Sequence, residues 1–296
     1  MTKLEKHLIV GDFTIRVTNL LPEEVAYGIP KSATAFEDEY SHSAPIFDYT
    51  MEEAHLNEQE GKTLLVNYDI GPYPLSIYQA SNGDLIWIRY YREKGIRLVY
   101  YISKDWKSWR LLCDHTLSDG KDSFLELFNI FAYSILDMEA IVFHGVVLEW
   151  RNFGVVFCAA SGVGKTTHTR MWRDHEGATI LNGDRALCRK EAECWYAYGA
   201  PWCGSSKEYK NSKVPLKVIV ILEQADKNEV EVLSSAQGAL ELMSLAFAPD
   251  WNMELMNYAF DSIDHIVQNI MILKLKCRPE QEAVDVLKET LEQLFD

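Results

Sequence analysis

This sequence lacks a long apolar run. No apolar run approaches the roughly 20 residues that a spanning helix needs. The opening stretch, Met1-Thr-Lys-Leu-Glu-Lys6, lacks the apolar segment of a signal peptide, so a cytoplasmic location without a membrane partner is expected. The six cysteines, Cys113, Cys158, Cys188, Cys194, Cys203 and Cys277, include no Cys-x-x-Cys pair and fit no zinc framework. Scattered over strand-like segments, they suit a reducing compartment. The eight histidines show no metal-ligand spacing. Positive charge is scarce too: 29 basic residues face 44 acidic ones, for a net charge of −15. That excludes a general nucleic-acid binder and argues against docking on an anionic membrane. Internal repeats and low-complexity tracts are absent.

Apolar residues make up 48% of the 296, enough for sizeable cores in one large domain or two ordinary ones. Residues 1–120 read as a β-rich domain. Phe13-Thr-Ile-Arg-Val17 alternates as a half-buried strand should. Pro22 to Gly61, with Pro30, Pro45 and the acids Glu52, Glu53, Glu58 and Glu60, reads as loops with one short helix at most. A meander follows over Leu64–Tyr68, Leu75–Ala80, Leu85–Tyr91 and Ile96–Ile102, with Asn82-Gly83 as a hairpin turn and a last strand over Trp106–Cys113. Its aromatics (Tyr90, Tyr91, Tyr100, Tyr101, Trp106, Trp109) fit cross-strand packing, or else a face for a peptide or partner. Asp122-Ser123 can cap a helix whose stripe is Phe124, Leu127, Phe128, Phe131 and Ile135; it links the two halves.

The second half, residues 121–296, centres on Phe153 to His168. Val155–Cys158 reads as a buried strand, Ala160–Gly164 as a glycine-containing loop, and Lys165-Thr166-Thr167 as a helix start. Such an arrangement binds phosphate: glycines let successive N–H groups converge, and the helix N-terminus adds partial positive charge. Ser161, Gly162, Val163, Gly164, Lys165, Thr166 and Thr167 are the expected cradle. Lys165 would reach the β- and γ-phosphates, and the Thr166 hydroxyl would hold Mg²⁺. The first glycine of the full pattern is missing, since Ala159 stands there. The bland alternative is a glycine-rich turn with a chance Gly-Lys-Thr. Six basic residues between Lys165 and Lys190 outnumber three acidic ones, a local surplus that suits a nucleotide or merely a solvated helix face.

Ile141–Leu148 and the Arg151-Asn152 turn make a β-hairpin into the loop. After the helix to His175 and a stop at Gly177, Ala178–Leu181 is a short strand that runs to Asn182-Gly-Asp184. Asp184 sits where a second magnesium ligand belongs, although Asn-Gly-Asp is also turn chemistry. Gly199–Ser206 forms a small-residue loop suited to lining a pocket near phosphate. Lys217–Leu222 reads as a central strand. Ser234 or Ser235 caps a helix to about Phe247, Pro249 starts another to about Ile270, Met271–Cys277 is a strand, and Pro279 leads into the terminal helix.

Phe143-His-Gly-Val-Val-Leu148, Ala160-Ser-Gly-Val-Gly-Lys-Thr166 and Leu181-Asn-Gly-Asp-Arg185 together resemble the kinase domain of HPr kinase/phosphorylase, with its phosphoenolpyruvate carboxykinase-like fold. Ser161–Trp172 and Tyr198–Gly204 look closer still to an uncharacterised bacterial branch. The likeness covers roughly residues 140–296. It implies an α/β fold there, a mixed P-loop sheet with flanking helices; the smaller, mostly antiparallel β domain read from residues 1–120 is not covered and does not look like the amino-terminal domain of the HPr enzymes. It implies ATP and Mg²⁺, with transfer of the γ-phosphoryl group to a hydroxyl of a peptide, protein or small-molecule acceptor. By matching position, Lys165, Asp184 and His144 are the catalytic group, and Thr166 and Asp184 the metal ligands; His144 is equally readable as a core histidine. A homo-oligomer is expected by the same analogy. One position departs: the first of the family's two adjacent acids, its general base, is Gly183 here. Asp184, His144, Glu149 and His168 are the candidates to replace it. The loop Cys203–Lys213 shows no HPr-docking segment, so HPr itself is not the expected substrate. A non-catalytic nucleotide-binding module is the rival reading.

Overall fold

A computed structural model describes residues 4–19, 30–38, 44–53, 62–69, 71–94, 96–113 and 121–295. The described residues form two eight-stranded sheets and six α-helices, a mixed α/β chain. They divide into two compact units, residues 1–134 and 135–296, so the linking helix groups with the first.

In the first unit the strands are β1 (Leu4–Val10), β2 (Phe13–Asn19), β3 (Phe47–Glu53), β4 (Thr63–Tyr68), β5 (Leu75–Gln79), β6 (Leu85–Tyr91), β7 (Ile96–Ile102) and β8 (Ser108–Cys113). They lie in the order β1-β2-β3-β8-β7-β6-β5-β4. Only β2–β3 and β3–β8 are parallel. The meander is where the turn residues put it. Two strands differ from expectation. β3 runs through the stretch read as loops, because Phe47, Tyr49 and Met51 alternate inward and are buried. β2 is buried on both faces: Thr14 and Thr18 are covered as well as Phe13, Ile15 and Val17. Among the described residues of the Pro22–Gly61 stretch there is one short helix, α1 (Lys31–Thr34). Glu58 and Glu60 lie outside the described residues.

The linking helix, α2 (Lys121–Ser134), begins before the Asp122-Ser123 cap foreseen for it. Its Phe131 meets Phe13 and Phe47 edge-on. Its Glu126, 4% exposed, accepts hydrogen bonds from Trp87 Nε1 (2.6 Å) and from Arg89 Nε and a terminal nitrogen (2.9 and 3.0 Å). Of the clustered aromatics, Tyr91, Tyr100, Trp106 and Trp109 are buried, Tyr101 is half-buried and Tyr90 is exposed.

The second unit contains β9 (Ala140–Trp150), β10 (Phe153–Cys158), α3 (Lys165–Glu176), β11 (Thr179–Asn182), β12 (Arg185–Glu191), β13 (Cys194–Tyr198), β14 (Lys213–Gln224), β15 (Glu229–Val232), α4 (Ser235–Leu245), α5 (Met253–Asn269), β16 (Met271–Cys277) and α6 (Gln281–Phe295). Arg151 and Asn152 both take positive φ (47° and 66°), the geometry of a tight hairpin turn between β9 and β10. α5 starts at Met253, capped by the Asn252 side chain, rather than at Pro249. Ser234 caps α4 with a reciprocal bond from Gln237.

Two long strands divide the sheet. β9 pairs with β12 through residues 140–144 and with β10 through 145–150. β14 pairs with β13 through 213–215, then with β10 and β16, both parallel to it. Val218, Val220 and Leu222 join Trp172 of α3 and Val284, Leu287 and Leu291 of α6 in one buried cluster. The opposite face of the sheet meets α4, where Gly238 approaches Ile272 so closely that a Cβ would lie 3.0 Å from its side chain.

Candidate functional site

The site forms where β9 changes partners. His144 is the last residue opposite β12, facing Arg185; Gly145 is the first opposite β10, facing Cys158. The chain therefore leaves β10 into its loop, and enters β12 from Asp184, at the same point on β9. Ala159 N–H donates to the His144 carbonyl (3.4 Å), and Gly145 N–H to the Asp184 carbonyl (3.1 Å). Gly145 is demanded by the crowding, since a Cβ there would sit 3.0 Å from Cys158 Sγ and from the Phe157 carbonyl. The carboxyl end of β10 and the start of β12 thus meet at one point on β9.

The loop between β10 and α3 turns through Gly162 (φ 82°) and Gly164 (φ 116°), in the left-handed region that glycine tolerates. No atom lies within 4 Å of a Cβ built at either, so the conformation and not crowding asks for glycine. Gly164 caps α3, and Lys165 is its first residue. The lysine folds back: its ammonium donates to the carbonyls of Ala159 (2.7 Å) and Ala160 (3.1 Å) and lies 3.4 Å from His144 Nε2. Burial holds the Lys165 pKa below its ordinary value, against the opposing pull of Asp184 and Cys158. Ser161, Gly162 and Thr167 are exposed, and Val163, Gly164 and Thr166 are half-buried.

Asp184 has partners on both oxygens. His144 Nε2 lies 3.3 Å from Oδ1, and an Arg185 terminal nitrogen 2.5 Å from Oδ2. Burial alone would raise the carboxyl pKa, but the hydrogen bond from His144 and the charges of Arg185, His144 and Lys165 outweigh it, and the pKa is lowered. His144 Nε2 faces two groups of opposite demand. With a proton there it donates to Asp184; without one it accepts from Lys165. The turn itself is built on Asn182, which is fully buried. Its carbonyl oxygen accepts the N–H groups of Asp184 and Arg185, and its amide donates to the carbonyls of Ala200 and Trp202.

Two of the four general-base candidates are not in this cluster. Glu149 lies five residues along β9, about 16 Å away at ~3.3 Å per residue. His168 is 3% exposed in the core, accepts from Trp172 Nε1 at 3.1 Å, and is pushed by burial to a pKa of about 4. Cys158 is equally inert: burial pushes its thiol up to about 12.

A cavity of about 600 Å³ opens onto this cluster, lined by His144, Ala160, Ser161, Asp184, Arg185 and the segment Ser244–Phe247. The sequence did not reveal that last segment. It is held by an N–H···O bond from Phe247 to Val142 (2.8 Å), and Arg185 lies over the Phe247 ring at 4.7 Å. The Gly199–Ser206 loop, expected to line a pocket near phosphate, reaches Asp184 from another side. A Cβ on Gly204 would lie 2.6 Å from Asp184 Oδ2.

Comparison with known proteins adds little to this geometry. No family model matches the chain, and no curated protein does. Among solved structures, the HPr(Ser) kinase/phosphatase from Coxiella burnetii is similar over 52% of this chain and 99% of its own, at 9% identity and a TM-score of 0.33. That is a weak likeness in fold, and it says nothing of activity.

Among the described residues, no three His, Cys, Asp or Glu side chains cluster to hold a metal. The residues at hand are one carboxylate, Asp184, and the Thr166 hydroxyl. Oxygen donors in that number suit Mg²⁺, which takes one or two carboxylates, keeps several waters and completes its shell with substrate phosphates. Asp184 must release Arg185 or His144 to serve. Among the described residues, no helix is long and apolar enough to cross a membrane.

Proposed function

We propose that the second unit is an ATP-dependent phosphotransferase, moving the γ-phosphoryl group to a hydroxyl of a peptide, protein or small-molecule acceptor. One observation carries the reading. A loop with two left-handed glycines runs from a buried strand into a helix whose first residue, Lys165, lies 3.4 Å from His144, which in turn lies 3.3 Å from Asp184. Backbone N–H groups of Ser161–Thr167 would cradle the phosphates. Lys165 would exchange the Ala159 and Ala160 carbonyls for phosphate oxygens, gaining a charged partner in place of neutral ones. Mg²⁺, held by Asp184 and Thr166, would neutralise charge on the transferring group.

His144 takes the role left open by Gly183. Its Nε2 would accept the acceptor hydroxyl's proton, and Asp184 would steady the imidazolium, since the two already lie 3.3 Å apart. The cavity beside them has room for an acceptor, and Arg185 and Phe247 give it a cationic and an aromatic wall.

A second reading, a nucleotide-binding module without catalysis, draws support from the paired state of Asp184 and from the missing acid at Gly183. Calorimetric titration with Mg²⁺–ATP, beside Lys165→Ala, tests both. Binding that the variant loses, together with transfer from labelled ATP, is the expected result. Binding without transfer to any hydroxyl acceptor would favour the module, and no binding by either protein would end both readings.

A further inference from the structure

The volume next to Gly183 is filled by a hydroxyl of this same chain. A Cβ built on Gly183 would lie 2.0 Å from Ser206 Oγ and 2.6 Å from Ser206 Cβ. No side chain at 183, acidic or otherwise, can coexist with Ser206 in that position. The hydroxyl stands where the side chain of residue 183 would begin, one residue from Asp184.

Ser206 is held there by several independent bonds. Its Oγ donates to the Cys203 carbonyl (2.6 Å) and accepts the Glu208 N–H (3.1 Å). Gly183 N–H donates to the Glu208 carbonyl (3.0 Å). The Glu208 carboxylate pairs with Arg173 (2.9 Å) and Arg170 (3.4 Å), both on α3, the helix that Lys165 opens. Asn182 fixes the other end of the loop through Ala200 and Trp202. Gly204, two residues before the serine, takes positive φ (56°) and presses on the Asp184 carboxylate. The loop is thus bound to the helix that Lys165 opens and to the Asn182–Gly183 turn, with Ser206 beside Gly183.

We propose that Ser206 is a phosphoryl acceptor of this site, so that the protein phosphorylates itself within one molecule. The inference rests on the phosphotransferase reading above. The bond formed is Ser206 Oγ–Pγ. The bond broken joins Pγ to the oxygen bridging it to Pβ, and ADP leaves with that electron pair. The hydroxyl proton, accepted by the Cys203 carbonyl in this structure, passes to the Asp184–His144 pair. An external acceptor competes with Ser206 for the same phosphoryl group. The absence of an acid at 183 is then the condition that lets the serine in.

The test is intact-mass and fragment mass spectrometry of the full chain after incubation with Mg²⁺–ATP, with ATP binding measured on the same sample. One added phosphoryl group mapping to Ser206 is expected, gained at a rate independent of protein concentration. It should be lost in Ser206→Ala and in Lys165→Ala, while Ser205→Ala keeps it. ATP binding with no phosphoryl gain, or a gain that maps elsewhere, overturns the proposal and leaves the phosphotransferase reading intact. A rate that rises with protein concentration overturns the intramolecular route. No ATP binding at all removes both. Mapping on the wild-type chain does not depend on how well Ser206→Ala folds.

Discussion

Two carboxylates, one in each unit, use the same chemistry for different ends. Glu126 is sealed in the first unit, with Arg89 on both oxygens and the Trp87 indole N–H on one of them. Asp184 in the second also has a partner on each oxygen, but it faces a cavity, and its partners include a histidine that can change its proton. The first arrangement has no alternative partner at hand: Arg89 and the Trp87 indole hold both oxygens, and removing the charge would leave a half-buried guanidinium uncompensated. The second has several, because Lys165, Arg185, His144 and solvent all lie within reach. The difference separates an ion pair fixed in place from one that can rearrange. It is the availability of a second partner, and not the strength of the first.

Neutralising each carboxylate in turn breaks the comparison most sharply. Asp184→Asn should lower phosphoryl transfer by about 10³-fold, or about 4 kcal/mol. Its stability should change by no more than about 1 kcal/mol, because the amide still bonds. Transfer assays beside urea melts read both. Glu126→Gln should do the reverse, costing about 3 kcal/mol of folded stability while ATP affinity holds. If Glu126→Gln weakened ATP binding, or Asp184→Asn unfolded the chain, the distinction would be lost.

A third buried ionisable group sharpens it. His168 has a folded pKa of about 4 against an ordinary value of 6.5. Its folded pKa is depressed, so above pH 6.5 neither state is protonated and it has no effect. As pH falls from 6.5 toward 4 the unfolded chain takes up a proton that the folded one refuses, and stability drops by about 3 kcal/mol. Urea melts at pH 7 and 4.5 should show that loss in the wild type, and His168→Phe should flatten it. A slope unchanged in the variant would place the titration elsewhere.

The smallest effect concerns the loop beside Asp184. Gly183→Ala should cost about 2 kcal/mol by overpacking against Ser206, and Ser206→Gly in the same chain should restore most of it. Double-mutant thermal melts give the coupling; additive losses would mean that the two residues do not touch.

Much of the second unit was legible because its signals are local. The Arg151-Asn152 turn, the Ser234 cap, the Gly177 stop and the strand–loop–helix at Val155–Lys165 each depend on a few neighbouring residues. What escaped the sequence depends on distance along the chain. β12 was not foreseen, although it pairs with β9 beside His144. Ser244–Phe247 becomes a cavity wall only because Phe247 bonds to Val142, far away in sequence. Ser206 meets Gly183 through a loop whose length says nothing of where its tip lands. In the first unit β3 was missed for a different reason: its alternation of Phe47, Tyr49 and Met51 was legible, but its acids and flanking prolines outweighed it. β1 was likewise passed over.

The way β9 divides its pairing also has a kinetic side. Its lower half closes on β10 through a two-residue turn, a contact that forms early because little chain entropy opposes it. The loop between β10 and α3, however, hangs from the far end of β10, which is complete only when β14 arrives to pair Cys158 with Ile221. That parallel contact is long-range and therefore late. The loop would gain its shape near the end of folding, after the transition state. A nucleotide held there would leave the refolding rate almost unchanged and slow unfolding instead.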